Sequence, residues 1–508
     1  MQSLLALQKN NKVGSVSENL RYRNQFVLGP YYIEKLTDWQ RIDVTGSIIL
    51  TAHPSLNIYQ AERAGKSLTL VGFILDPDKP ANSDADIVNV LILQLSDSDR
   101  FMPHTYKYGG RWILIANDGK EIRLFNDAAG LRQVFYNETL QTDQRWCASQ
   151  PAIIAEILNL EKDKEAVDFI DSYEFRKNPE FRWPGNSSSY REIKHLLPNH
   201  CLDLKTGHCK RYWPDKSLSD LSLPKAVEHA SSTLQGLMKS AAHRFDLALS
   251  ITAGLDSRVV LAASKAIKDS VSYMTVRQIG MPNDHPDVTI PSELLSRLGL
   301  KHEVIKSSLI IDDAFIEAFK RNTTIPHYIY APDARAILNY YAQRKVAVTG
   351  SVSEVCRSSF RAKKQYLKNR DVTIQDFARL QQMGKNKYAL DHFNHWLSQI
   401  DELYNLHILS LFEWELDDGN WLAMCQLEFD IAWKDIFTPF NCRNLIKTMW
   451  SVKQEYMWPP KYQLYKELIR ELWPEVLNVP VNPHKNSKKG FTSRIKSFAK
   501  KQLSGIGY

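Results

Sequence analysis

The chain has 508 residues, 44% of them hydrophobic and 24% charged, and a net charge of +8 at pH 7. That composition is globular rather than disordered, and the length calls for two or three cores rather than one. No apolar run is long enough to cross a bilayer, and Cys147, Cys201, Cys209, Cys356, Cys425 and Cys442 form no C-x-x-C pair, so no membrane span, zinc framework or small disulfide scaffold is legible.

Residues 1–9 lack a basic stretch before their short apolar run and lack a clear cleavage site, so a signal peptide is not expected, whereas reduced thiols and a cytoplasmic location are. Up to about residue 213 the pattern is strand-rich. Residues 112–116 are an apolar run, and Asn117-Asp118-Gly119-Lys120 is a hairpin-type turn, because these residues accept positive φ. Residues 122–126 alternate as a returning strand should. A second hairpin is expected from 200–204, through Lys205-Thr206-Gly207, to 209–213. Gly65-Lys66-Ser67 is not a phosphate loop, since position 60 is Gln where the first glycine would stand, and it reads as a turn.

After Pro214 the character changes. Residues 218–224 read as a linker, and 225–243 as an amphipathic helix with Val227, Ala230, Leu234 and Leu237 on one face. A buried strand at 247–251, a helix at 259–268, a strand at 271–276, a helix at 291–298, a strand at 302–305, a helix at 336–344 and a strand at 346–348 follow in turn. Such alternation predicts a parallel sheet covered on both faces, with its site at the carboxyl ends of the strands. Residues 356–470, rich in Trp, Tyr, Leu and Lys, read as a helical extension over the sheet edge. The expected division is a first domain at 1–215 and a second at 222–508.

The segment Ser250-Ile251-Thr252-Ala253-Gly254-Leu255-Asp256-Ser257-Arg258 ends a strand and opens a helix. Small residues let a ligand approach the backbone, the helix terminus offers N–H groups and a positive dipole end, and Ser250, Thr252 and Ser257 add hydroxyls. Asp256 can hold the Mg²⁺ that accompanies phosphates. The bland alternative is a tight turn with a capping Asp.

This loop resembles the pyrophosphate loop of the asparagine synthetase family, usually Ser-Gly-Gly-x-Asp-Ser. Other segments follow in family order: Asp287 in His285-Pro286-Asp287, Val348-Thr349-Gly350-Ser351-Val352-Ser353-Glu354, Thr438-Pro439-Phe440-Asn441 and Lys488-Lys489-Gly490-Phe491. In the first half, Gly110-Arg111-Trp112, the run from Asn126-Asp127-Ala128-Ala129-Gly130-Leu131-Arg132 to Tyr136, and residues 193–200 with Tyr212-Trp213 look like the family's glutaminase-type domain. The resemblance implies an α/β chain: an Ntn-hydrolase-like (glutamine amidotransferase-like) αββα domain, then an ATP-pyrophosphatase (PP-loop, adenine nucleotide α hydrolase-like) domain with a parallel sheet and helical extension.

It also implies chemistry. ATP adenylates a substrate carboxylate, and an amine displaces AMP. By resemblance Ser250, Thr252, Ala253, Gly254, Asp256, Ser257, Thr275 and Gly350 bind ATP and pyrophosphate. Asp256 and Glu354, the latter replacing the usual Asp, hold Mg²⁺. Lys488 is the best match to the lysine that stabilises the tetrahedral intermediate, with Lys485 and Lys489 as alternatives; the bland reading of all three is a solvated basic tail. Two departures matter. Position 2 is Gln, not the nucleophilic Cys of glutamine-using members, so the first domain is expected not to hydrolyse glutamine. β-Lactam synthetases and lasso peptide cyclases share that loss. Ser351 stands where asparagine synthetases have Glu and β-lactam synthetase has Tyr, so the acceptor site differs from both, and aspartate is not the expected substrate.

The expected partners are a peptide, sugar-acid or small-metabolite carboxylate and an amine donor. Nucleic acid and a membrane span are not expected, and a homodimer is compatible. The rival readings are an RNA-modifying enzyme with the same loop and a catalytically inactive scaffold.

Overall fold

The structure, a computed structural model, describes residues 20–95, 101–138 and 145–482. Its first half supplies strands β1 (Phe26–Gly29), β2 (Gln40–Asp43), β3 (Ile49–Ala52), β4 (Ile58–Arg63), β5 (Lys66–Leu75), β6 (Gly109–Asn117), β7 (Ile122–Asn126), β8 (Phe135–Asn137), β9 (Cys147–Ala148), β10 (Ile193–His195), β11 (His200–Asp203) and β12 (Cys209–Arg211). They form two antiparallel sheets, ordered β10-β8-β9-β1-β3-β2 and β12-β11-β7-β6-β5-β4.

Alternation along β6 explains how the sheets stack. Ile113 and Ile115 point into a core shared with Phe26, Leu28 and Leu50 of the other sheet. Trp112, Leu114 and Ala116 point the other way, into a core shared with Ile87, Val88, Leu234 and Leu237 of the helices Asp84–Leu91 and Leu223–Arg244. The far face of the first sheet is covered by the helix Pro151–Leu158 through Ile153, Ile154 and Ala155. The layers therefore run helix, sheet, sheet, helix, as period-two strands buried on both faces require. The turn expected at 117–120 joins β6 to β7, with Gly119 at φ 93° where a side chain would be strained.

The second half contains a five-stranded parallel sheet of β13 (Leu247–Ser250), β14 (Val271–Arg277), β15 (His302–Lys306), β16 (Val346–Val348) and β17 (Asp435–Phe437), ordered β15-β14-β13-β16-β17. Leu247, Leu249, Val346 and Val348 pack on one side, and Ala248, Met274 and Ala347 on the other. Three boundaries differ from the sequence reading. The helix after β14 spans Pro286–Arg297 and the helix before β16 spans Ala331–Tyr341, each starting earlier than expected. Pro286 and Pro332 lie in first turns, where a missing N–H costs no intrahelical bond. The helix after β13 spans Leu255–Ala263 and gives way to a 3-10 turn, Lys265–Ser270. The largely helical stretch 356–470 also supplies β17, whose three residues are too short to show a period.

The halves are joined by a buried ionic network. Arg111 of β6 donates to both carboxylate oxygens of Asp430 at 2.6 and 2.9 Å and to Asp435 at 3.1 Å, while Arg132 donates to Asp435 at 2.6 Å. Asn441 donates to Gly110 O at 2.8 Å and Asp127 Oδ1 at 2.9 Å, and accepts from Ala129 N at 2.8 Å. Among the described residues no helix is long and apolar enough to cross a membrane.

Candidate active site

The strand order reverses between β13 and β16. The chain proceeds outward from β13 through β14 to β15, then returns to lay β16 and β17 on the other side. Such a switch point opens a crevice at the carboxyl ends of the two central strands. Residues 250–258 leave β13 there, and residues 349–354 leave β16 beside them. Gly350 makes the approach close: a Cβ on it would lie 2.8 Å from the main-chain carbon of Asp256 and 2.9 Å from the Ser257 nitrogen.

The loop holds its own shape. Thr252 N donates to Ser257 Oγ at 3.2 Å, Gly254 N to Thr252 Oγ1 at 3.2 Å, and Ala253 N to Asp287 Oδ1 at 2.9 Å. Asp287 therefore acts as a brace on the loop. Thr275 is buried, donates to Ile251 O at 2.6 Å and lies 2.9 Å from His302 Nε2, so its hydroxyl is committed inside the protein. Ser250 and Gly254 are half-buried, and Gly254 is the N-cap of the helix Leu255–Ala263, whose first-turn N–H groups point out of its end.

The two acids expected to hold a metal are neighbours, joined by a cation the sequence reading missed. Arg357 donates to Asp256 Oδ1, and to Glu354 Oε1 at 3.2 Å. Ser353 Oγ donates to Asp256 Oδ1 at 2.6 Å and lies 2.8 Å from the buried Tyr465 hydroxyl. A guanidinium thus fills the position between the carboxylates where Mg²⁺ was expected, and the residues present do not fit a metal held by this pair. Packing under the surrounding chain, then the Asp256 charge, push the Glu354 carboxyl up to about 7, with Arg357 opposing; its side chain is 42% exposed, so solvent screens part of this. Arg357 sits three residues after Glu354, a spacing that pairs charges on one helical face and could have flagged it.

Two further features surround the pair. Val352, fully buried, has φ 66°, a conformation a β-branched residue adopts at a cost on the order of 1–3 kcal/mol. It aims Ser353 at Asp256. The segment Glu413–Leu422 is π-helical and buries Glu413, Asp417 and Asp418 on the Glu354 side. Burial pushes Glu413 up to about 8 despite bonds from Ser359 and the Phe360 N–H, and Asp418 Oδ2 has no hydrogen-bond partner.

The loop is also tied to the end of the described chain. Arg258 is buried without an acid, donates to the main-chain oxygens of Val476, Val479 and Pro480, and is pushed down to about 10 by burial. Asn482 N donates to Ala253 O at 3.0 Å. Lys485, Lys488 and Lys489 lie outside the described residues. In the first half, burial pushes the Cys147 thiol up to about 12 and Cys209 to about 11, and raises Cys201 likewise.

No protein-family model matches the sequence, and no curated protein matches it. Among solved structures, the chain is similar to the allosteric regulatory enzyme of purine biosynthesis at 10% identity, covering 58% of this chain and 71% of that chain with a TM-score of 0.25. It is also similar to glutamine phosphoribosylpyrophosphate amidotransferase from B. subtilis complexed with ADP and GMP, at 11% identity, covering 66% of this chain and 78% of that chain with a TM-score of 0.21. Likenesses this weak carry no argument about the site.

Proposed function

We propose that this chain is an ATP-dependent amide ligase that forms AMP and pyrophosphate. The carboxylate of a peptide, sugar acid or small metabolite attacks the α-phosphorus of ATP and releases pyrophosphate. An amine then attacks the acyl adenylate, releases AMP and gives up a proton. The observation that carries the reading is the meeting of the 250–258 and 349–354 loops at the switch point of a parallel sheet, Gly350 packed on the main chain of Asp256.

Each residue's role follows from its chemistry. The first-turn N–H groups at 255–257 and the Ser250 and Thr252 hydroxyls donate to the phosphate oxygens. Arg357 brings the fixed positive charge that a leaving pyrophosphate needs. Glu354, a carboxylate whose pKa is raised by packing and by Asp256 beside it, is suited to take the proton that the amine releases. Lys488 supplies a second cation in this reading, supported by the bond between Asn482 and the loop a few residues earlier in the chain. No step requires a metal held by Asp256 and Glu354.

The first half is read as a glutamine amidotransferase-like, Ntn-hydrolase-type layer stack without glutaminase activity. The helix–sheet–sheet–helix stacking supports the architecture. The raised thiols of Cys147, Cys201 and Cys209 support the lack of a nucleophile, because a thiolate is what attacks. The amine therefore comes with a substrate.

One set of observations favours a second reading, a nucleotide-free scaffold. The N–H groups of Thr252, Ala253 and Gly254 already have acceptors within the protein. Calorimetric titration of ATP, with Mg²⁺ and with a chelator, into the wild type and Arg357→Met separates the two. Binding by the wild type that the variant loses supports the ligase, and pyrophosphate release over candidate carboxylates follows. Absence of binding in both, also with carboxylates present, favours the scaffold.

A further inference from the structure

Away from the switch point, three residues of metal-binding type converge in the second half. Cys425 and Glu428 lie three apart in the helix Ala423–Phe429 and share a face. His327 precedes the short turn Tyr328–Tyr330. One ligand atom from each of His327, Cys425 and Glu428 falls within 4.8 Å of the others. His327 and Glu428 are both 0% exposed, while Cys425 is half-buried.

The imidazole is held in a fixed orientation. Phe181 stacks on it at 5.1 Å with an interplanar angle of 18°. Nδ1 lies 2.9 and 3.0 Å from the two Glu428 oxygens, and the ring's other edge faces the main chain of Glu180. Glu428 also accepts from the His327 N–H at 2.8 Å and from Thr323 Oγ1 at 3.3 Å, so the carboxylate is fixed as firmly as the ring. An ordinary buried ion pair needs only the histidine and the glutamate. It does not explain a sulfur brought to the same point.

We propose that His327, Cys425 and Glu428 form a binding site for a zinc-class divalent cation. Imidazole, thiolate and carboxylate are the donors such an ion takes, at about 2.0–2.3 Å each. Tetrahedral ligation at those lengths sets nitrogen and oxygen about 3.3 Å apart, a short relaxation from the separation in the structure. One thiolate and one carboxylate cancel the charge of a divalent ion, which suits a buried place. Binding releases the proton of the Cys425 thiol and the proton shared between His327 and Glu428 to solvent. Three protein donors leave the fourth position to water; the ion ties the helix Ala423–Phe429 to the segment before Tyr328, independently of the ligase reading.

The test uses the full chain, loaded with zinc chloride, desalted and assayed for metal by mass spectrometry, with cobalt substituted in parallel. The expected result is one zinc per chain and a thiolate-to-cobalt charge-transfer band. Cys425→Ser should lose the band and bind zinc more weakly by more than about tenfold, with an unchanged circular-dichroism spectrum, whereas Cys209→Ser keeps both. Substoichiometric zinc in the wild type, or a Cys425→Ser variant that loads like the wild type, overturns the site and leaves a His327–Glu428 ion pair. Should Cys425→Ser not fold, zinc-coupled proton release from the wild type decides: release supports the site, and none overturns it.

Discussion

Gly350 lies so close to Asp256 that a methyl group cannot enter between them: its Cβ would stand 2.8 Å from the Asp256 main-chain carbon. The contact is between two backbones, neither of which can rotate away. Gly350→Ala should therefore push the β16 loop off the helix Leu255–Ala263. The expected cost is roughly 1–3 kcal/mol of stability by overpacking, with loss of ATP binding in excess of that cost. Urea unfolding together with calorimetry reads both. Unchanged nucleotide affinity in a folded Gly350→Ala protein would show that the loops need not touch.

Arg357 spans Asp256 and Glu354. Replacing it by Met should leave two carboxylates facing each other without a cation, and they should then accept one from solution. Mn²⁺ binding to the nucleotide-free protein should tighten by about tenfold or more, the equivalent of about 1.4 kcal/mol, while affinity for ATP in chelator falls. Electron paramagnetic resonance of free Mn²⁺ measures the first and calorimetry the second. Equal Mn²⁺ affinity in both proteins would mean that the guanidinium is not what fills the position.

The Arg111–Asp430 pair crosses between the halves with both partners under 2% exposed. Asp430→Asn keeps the shape but leaves Arg111 with Asp435 as its remaining acid, shared with Arg132. Breaking a buried pair from one side typically costs roughly 3–5 kcal/mol. Tryptophan fluorescence during urea unfolding should show a lower midpoint for the whole chain, because the two halves share a core. A loss under about 1 kcal/mol, the range of an exposed pair, would refute this account.

Four histidines set an acid limit. Burial pushes His195, His200, His392 and His407 each down to about 4. Below pH 6.5 the unfolded chain binds protons at these sites that the folded chain refuses. Their contribution is thus whole above pH 6.5 and is lost as pH falls toward 4. Buried carboxyls such as Glu413, pushed up to about 8, act in the opposite sense, so the test is a difference: the melting-temperature advantage of the wild type over His195→Asn should shrink as pH falls from 6.5 to 4. A difference independent of pH across that window would contradict the burial of the His195 ring.

The sequence by itself determined the local pieces. An apolar run set β6, alternation set β7, the strand–helix succession set the parallel sheet, and the small-residue loop before Asp256 marked the switch point, because each depends on neighbours within a few residues. The absence of a cysteine at position 2 was likewise plain from the residues alone. The helices expected from 291 and 336 start at Pro286 and Ala331, with Pro286 and Pro332 in first turns that have no N–H bond to lose. The three-residue β17 was missed because an edge strand that short is defined by its partner β16 and not by its own pattern. Only the tertiary structure decided that Arg357 joins Asp256 to Glu354, that Asp287 braces Ala253, and that Cys425 meets His327. Asp256, Asp287 and Cys425 each meet a partner some 30 to 100 positions away in the chain, a separation that local periodicity does not encode and that only chain packing brings within contact range.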